Sequence, residues 1–163
     1  MIELRLVEVD DAPALRRIYN HEVEHSTVTF DLVPRTLEEQ HRWITERDGA
    51  HGVVVAEIDG EVVGFAALSP FRPRAAYRTT VENSVYVDES ARGSGVGRAL
   101  LEELIRLATA RGFHTIIAHV VGGHDASIAL HHACGFRVVG TEREVGRKFG
   151  QWLDVVVMQR MLG

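Results

Sequence analysis

The sequence lacks most of what would tie it to a cell surface, a membrane or a nucleic acid. Cysteine is nearly absent: Cys134 is alone, so no internal disulfide and no cysteine-rich metal framework can form. No apolar run approaches the ~18 residues that a spanning helix needs. The opening MIELRLVEVDD is acidic where a secretory signal would be basic and then apolar. Positive charge is not in excess, since 18 Lys and Arg face 23 Asp and Glu for a net charge of −5. Nucleic acid and anionic membrane are therefore not expected partners, and any anionic ligand must be met by local charge. Repeats, low-complexity tracts and linkers are also missing. What remains is a chain of 163 residues, 45% hydrophobic and 25% charged, which reads as a single soluble domain, 1–163, of cytoplasmic type.

Ile2 to Leu6 alternates as a strand, and Asp10 or Asp11 with Pro13 opens a helix running to about His25. Thr36 and Glu39 form a capping box for a shorter helix that includes Trp43 and Ile44. The runs Gly52–Ile58 and Glu61–Leu68 are joined by Asp59-Gly60, which predicts a tight hairpin. Ser69 to Arg78 reads as a loop, and Val81 to Val87 as the next strand. A helix follows with apolar Leu100, Leu101, Leu104, Ile105 and Ala108, stopped by Gly112. Then come a strand (Thr115 to Val121), a short helix with Asp125 as N-cap and Gly135 as stop, and strands around Arg137–Arg143 and Leu153–Arg160. Interleaved helices with a hairpin imply an α/β (α+β) fold on a mixed sheet.

Between a strand and a helix lies Arg92-Gly-Ser-Gly-Val-Gly-Arg98. Glycines permit positive φ and close approach, so successive N–H groups can face one anion at a helix N-terminus. The dinucleotide fingerprint needs a glycine where Arg98 stands, and a Walker loop needs a terminal Gly-Lys-Ser/Thr that does not occur.

Val85-Tyr-Val87 followed by R-G-S-G-V-G-R resembles the pyrophosphate turn of the GNAT superfamily of acyl-CoA-dependent N-acetyltransferases. Further segments resemble its phosphinothricin and methionine-sulfoximine N-acetyltransferases. They are Asn20-His21, Ser26–Phe30, Arg74–Tyr77, Thr80–Glu82, Ser84–Val87, Ser127–His131, Gly135-Phe136 and the tail from Gly146 through Lys148, Gly150 and Trp152 to Asp154-Val155. The resemblance implies a mostly antiparallel GNAT-like sheet flanked by helices on both faces, acetyl-CoA as co-substrate without a metal, and a homodimer. It places the coenzyme on Val85, Tyr86, Val87, Arg92, Gly93, Ser94, Gly95, Val96, Gly97, Arg98 and, more weakly, His124. Departures from the pattern occur at His124, at Glu22, where the family has tyrosine, and at Leu153, where it has histidine.

Acetyl transfer to an amine needs a free lone pair, whereas an alkyl ammonium is mostly protonated at neutral pH. Strand alternation puts Glu82, Ser84 and Tyr86 on one face and Val81, Asn83, Val85 and Val87 on the other, which makes Glu82 the candidate base. The resemblance implies that His131 either protonates the departing thiolate or binds substrate; the residues alone leave it also as a packing imidazole. Arg72, Arg74 and Arg78 put three cations before the strand that carries Glu82, a cluster able to hold a carboxylate. The resemblance matches Arg74 with Tyr77 to the family's R-x-x-Y and Phe30 to the aromatic that closes over the substrate, and with Arg72, Glu82, Asn83 and Ser84 it implies a pocket for the α-amine of a small amino acid. A protein N-terminal acetyltransferase and a non-catalytic acyl-CoA-binding module are the alternatives. His21-Glu-Val-Glu-His25 also satisfies H-E-x-x-H. No third ligand has recognisable spacing, so these histidines are expected to be a solvated helix face.

Overall fold

A computed structural model describes residues 1–47 and 49–163. β1 (Ile2–Leu6) runs antiparallel to β2 (Val53–Ile58), with α1 (Ala12–His25) and α2 (Leu37–Thr45) between them in sequence. Pro13 lies in the first turn of α1, where its missing N–H leaves no bond unmade. Thr36 accepts the Glu39 N–H at 3.1 Å, but the Glu39 carboxylate takes the Thr36 hydroxyl and not its N–H, so half of the expected box forms. Asp59 and Gly60, at φ 52° and 80°, turn β2 into β3 (Glu61–Pro70) as the hairpin requires. β4 (Thr80–Val87), α3 (Val96–Ala110), β5 (Thr115–Val121), α4 (Asp125–Ala133), β6 (Arg137–Lys148) and β7 (Gln151–Met161) complete the chain.

The seven strands form one sheet in the order β1-β2-β3-β4-β5-β7-β6. Among the described residues only β4 and β5 pair in parallel. On one face α3 presses Leu100, Leu101, Leu104 and Ala108 against Ala66, Leu68, Ile116 and Met158. On the other, α1 and α2 bring Leu15, Ile18, Tyr19 and Ile44 onto Val53, Val55 and Phe65. Covered on both faces, β2 reads in sequence as an unbroken apolar run and not as an alternating one. Cutting Leu101 or Leu104, both fully buried, back to Ala costs about 2–5 kcal/mol.

The β4–β5 junction shapes the cleft. The two strands pair only from Thr80 and Thr115 to Glu82 and Ile117, and then part. β5 stays with β7 while β4 stays with β3. A wedge opens beyond Glu82, and one edge of β4 is left without a strand partner among the described residues.

Three expectations change. His124, not Asp125, caps α4; Asp125 is its first residue, where a carboxylate still meets the positive end of the helix. β3 extends through Ser69 to Pro70 because its partner Val81 continues the ladder. The last hairpin is longer at both inner ends, reaching Lys148 and Gln151. Register shifts at Val138/Gly140 and Glu142/Gly146, with Glu144 at φ 52°, break the period-two pattern that a sequence reading follows.

Candidate active site

The glycine-rich turn forms one wall of a cavity of about 800 Å³. Gly93 and Gly95 adopt φ 74° and 88°, the region in which a side chain is strained, and a Cβ at either would meet open space. Among the described residues, no backbone N–H from Gly93 to Arg98 donates to a protein acceptor. The first α3 amide to do so is that of Ala99, to Gly95 O at 3.0 Å. The turn therefore offers unsatisfied donors at the positive end of a 15-residue helix. Gly97 has no φ requirement, and a Cβ there would meet the Leu130 side chain at 3.4 Å, an ordinary contact. Val85, Tyr86, Val87, Arg92, Val96 and His124 also line it, with the end of α1 and the start of α4, and His124 Nε2 sits 2.8 Å from Thr27 Oγ1.

A second cavity of about 430 Å³ fills the wedge between β4 and β5. Glu82, Asn83 and Ser84 line it from β4, Ala118 to Val121 from β5, His131 from α4, Phe30 from the loop after α1, and Glu142 and Val145 from β6. Val28, Val85, Tyr86 and Ser127 line both cavities, which therefore adjoin at the unpaired edge of β4. Tyr86 stands at this junction, and burial pushes its phenol up to about 12, which keeps it protonated and able to donate.

His131 is buried, with Nδ1 2.7 Å from Ser127 O and Nε2 3.0 Å from Asn83 Nδ2. Both contacts are satisfied by a neutral ring carrying its proton on Nδ1. Burial lowers its pKa in the same direction, outweighing the Ser127 carbonyl. Asn83 Oδ1 is left buried without a partner among the described residues.

Residues 13–136 match the acetyltransferase (GNAT) family. A phosphinothricin N-acetyltransferase of Alcaligenes faecalis is 44% identical over 98% of this chain and 82% of its own length. Among solved structures, a phosphinothricin acetyltransferase from Sinorhizobium meliloti in complex with AcCoA superposes with a TM-score of 0.96 at 40% identity, covering 99% of this chain and 89% of that one. A ribosomal-protein-alanine N-acetyltransferase from Brucella melitensis gives a TM-score of 0.96 at 45% identity, over 98% and 99% of the two chains. This chain belongs to the GNAT acetyltransferase family. Acetyl-CoA is its co-substrate and N-acetylation its reaction.

Several expected residues of this GNAT enzyme stand elsewhere. Ser94 and Arg98 do not line the larger cavity: the Ser94 hydroxyl donates to Ala91 O, and Arg98 pairs along α3 with Glu102 at 2.8 Å. Arg92 does line it, but its guanidinium is paired with the buried carboxylate of Glu22. Glu22 is thus held by Arg92, while His21 and His25 lie with ring centroids 4.9 Å apart and His21 near Glu89; among the described residues no third group joins them in a metal-binding cluster. Arg72, Arg74 and Tyr77 lie outside both cavities, on the exposed segment after β3. There Arg72 stacks on Phe71 and Tyr77.

Two residues at or beside the smaller cavity carry no signal in the sequence that marks them for it. His119 projects from β5 onto Glu82, with Nδ1 2.6 Å from Oε1. Lys148, which the sequence marks only as part of the tail motif, is the sole lysine of the chain. It is 3% exposed and donates to Thr29 O at 2.9 Å. Beside it Phe30 lies flat against Gly146, where a Cβ would collide with the ring. Together these contacts fasten the loop after α1 to the last hairpin. No spacing rule joins positions so far apart.

Proposed function

We propose that this enzyme acetylates the α-amine of a small amino acid or amino-acid analogue by direct attack in a ternary complex. The observation that carries the reading is the meeting of the two cavities at Val85 and Tyr86, with Glu82 in the smaller one. The turn amides would hold the coenzyme diphosphate, which lays the thioester along the unpaired edge of β4. Glu82 takes the ammonium proton; the amine then attacks the carbonyl, polarised by backbone N–H groups near Val85. Asn83 Oδ1, buried and unpartnered, is an acceptor for a ligand N–H.

His131 fits the part of a residue that orients Asn83. The acid role would require an imidazolium, which its burial opposes. Thiols ordinarily titrate near pH 8.5, so the coenzyme leaves as thiolate without obligatory protonation. Arg72, Arg74 and Tyr77 lie outside both cavities, with Arg72 near enough to His119 to act on its charge, and would meet only a substrate carboxylate that reaches beyond the smaller cavity. Cytoplasmic action is part of the same proposal, as the lone buried Cys134 suits a reducing compartment. So is a homodimer, for which the exposed Val138, Val139, Phe149 and Trp152 of the last hairpin provide an apolar surface.

The Brucella melitensis relative keeps a second reading open, an N-terminal acetyltransferase of proteins. Thiol release from acetyl-CoA decides between them. Phosphinothricin, methionine sulfoximine and methionine sulfone should be turned over well above ordinary amino acids, polyamines and Ala-initiated peptides. Preference for the peptides would replace the small-molecule reading.

A further inference from the structure

We propose that His119 positions Glu82 as the base and sets the lower pH limit of the reaction. The inference rests on Glu82 being the base and adds a residue to it. His119 Nδ1 lies 2.6 Å from Glu82 Oε1. Both side chains are about one-third exposed, at 31% and 32%, so the pair faces the cavity and is reached by water. Geometry brings them together. Glu82 is opposite Ile117 at the last parallel rung, and His119, two residues on, returns to the face that Ile117 occupies just as the strands separate. Phe71 lies parallel to the imidazole, with an interplanar angle of 6° and ring centroids 6.3 Å apart.

With the imidazole neutral, Nδ1–H donates to Oε1 and leaves Oε2 of the carboxylate for the substrate. The ammonium N–H bond breaks, its electron pair stays on nitrogen, and the proton passes to Oε2. With the imidazole protonated, an adjacent cation holds the carboxylate ionised and weakens it as a base. Four groups bear on the ring: Glu82 from β4, Glu142 from β6, Arg72 from the segment after β3, and the uncharged Phe71. The bond to Glu82 is the largest influence and raises the His119 pKa above 6.5; burial and Arg72 oppose it, and Glu142 adds to it. The acidic limb of turnover should therefore follow an imidazole.

The test combines kinetics with a substrate-free measurement. His119→Asn keeps an N–H donor toward Oε1 but cannot become a cation. The acidic limb of its kcat should move down by roughly two pH units, the gap between ordinary imidazole and carboxylate titration. His119→Phe, which keeps the stack on Phe71 and loses the donor, should lower kcat about tenfold or more with the KM for acetyl-CoA unchanged. An unmoved limb in His119→Asn would overturn the proposal, since a merely structural histidine predicts that result. Ring-proton NMR of the enzyme without substrate should show the His119 midpoint falling toward 6.5 in Glu82→Gln. An unchanged midpoint would also overturn it. Because the NMR needs no amine, a panel in which no small amino acid is acetylated would sink the substrate reading while leaving the pair to be judged on its own.

Discussion

The side of the cleft proposed for the coenzyme and the side proposed for the substrate are built in different ways. The first centres on one contiguous stretch, Val85 to Gly97, to which the end of α1 and the start of α4 add lining, and it works chiefly through backbone: unbonded amides, positive-φ glycines and a helix terminus. The second is assembled from α1's following loop, β4, β5, α4 and the last hairpin, and works through side chains. A backbone site tolerates exchange of neighbouring side chains and demands glycine. A side-chain site is only as well placed as the packing behind it. Mutations should therefore separate the two halves, coenzyme affinity on one side and turnover or amine KM on the other.

The sharpest separation is expected at Glu82. Glu82→Gln removes the base but none of the turn amides, so kcat at neutral pH should fall by about 10²–10⁴ while acetyl-CoA binding by calorimetry stays within twofold. Loss of coenzyme affinity in this variant would erase the distinction between the halves.

Gly95→Val is the reciprocal change. A β-branched residue at φ 88° costs on the order of 1–2 kcal/mol in backbone strain, and its side chain projects into the open space beside the amides. The KM for acetyl-CoA should rise about tenfold or more with the amine KM little altered. Gly97→Ala, at a position without positive φ, should do much less.

The same contrast explains what could be foreseen. The hairpin at Asp59-Gly60, the buried stripe of α3 and the glycine turn are local signals, and each stands where its spacing placed it. Glu82 was found by strand alternation because β4 keeps its period. His119 and Lys148 were not, because their partners are 37 and 119 residues away and nothing in either neighbourhood marks them. The Arg72–Tyr77 cluster shows the converse limit: composition locates a cationic segment but not the direction in which it is held. The inner ends of β6 and β7 were lost for a further reason, since bulges erase the alternation by which strands are recognised.

A smaller effect should appear where packing supports the substrate side. Lys148→Met removes the donor to Thr29 O and leaves a buried carbonyl unpaired, a loss of about 1–3 kcal/mol. The loop bearing Phe30 would loosen, so the amine KM should rise several-fold while acetyl-CoA affinity holds. Urea unfolding and steady-state kinetics on one preparation would read both. Equal losses in the two KM values would mean that the hairpin supports the whole cleft and not one side of it.

The smallest effect tests the support of the coenzyme side by pH. Asp88 ends β4 and accepts from the Ser90 hydroxyl at 2.7 Å and the Ser90 N–H at 2.9 Å, and it pairs with Arg17. The Ser90 hydroxyl is the largest influence; with the Ser90 amide and Arg17 it outweighs burial and holds the carboxyl at about 2, against an ordinary 3.8. A carboxyl lowered on folding stabilises the native state fully above its unfolded value, and that contribution fades as pH falls through the folded value. At the protein rim, with solvent screening, it amounts to roughly 1 kcal/mol. Asp88→Asn should therefore be about 1 kcal/mol less stable than wild type at pH 7, by urea midpoints. The gap should begin to close below pH 4 and all but vanish near pH 2. A gap that ignores pH would assign the loss to the altered cap geometry alone. The amine KM should not change in either case, because neither Asp88 nor its partners Arg17, Ser90 and Val63 line the smaller cavity.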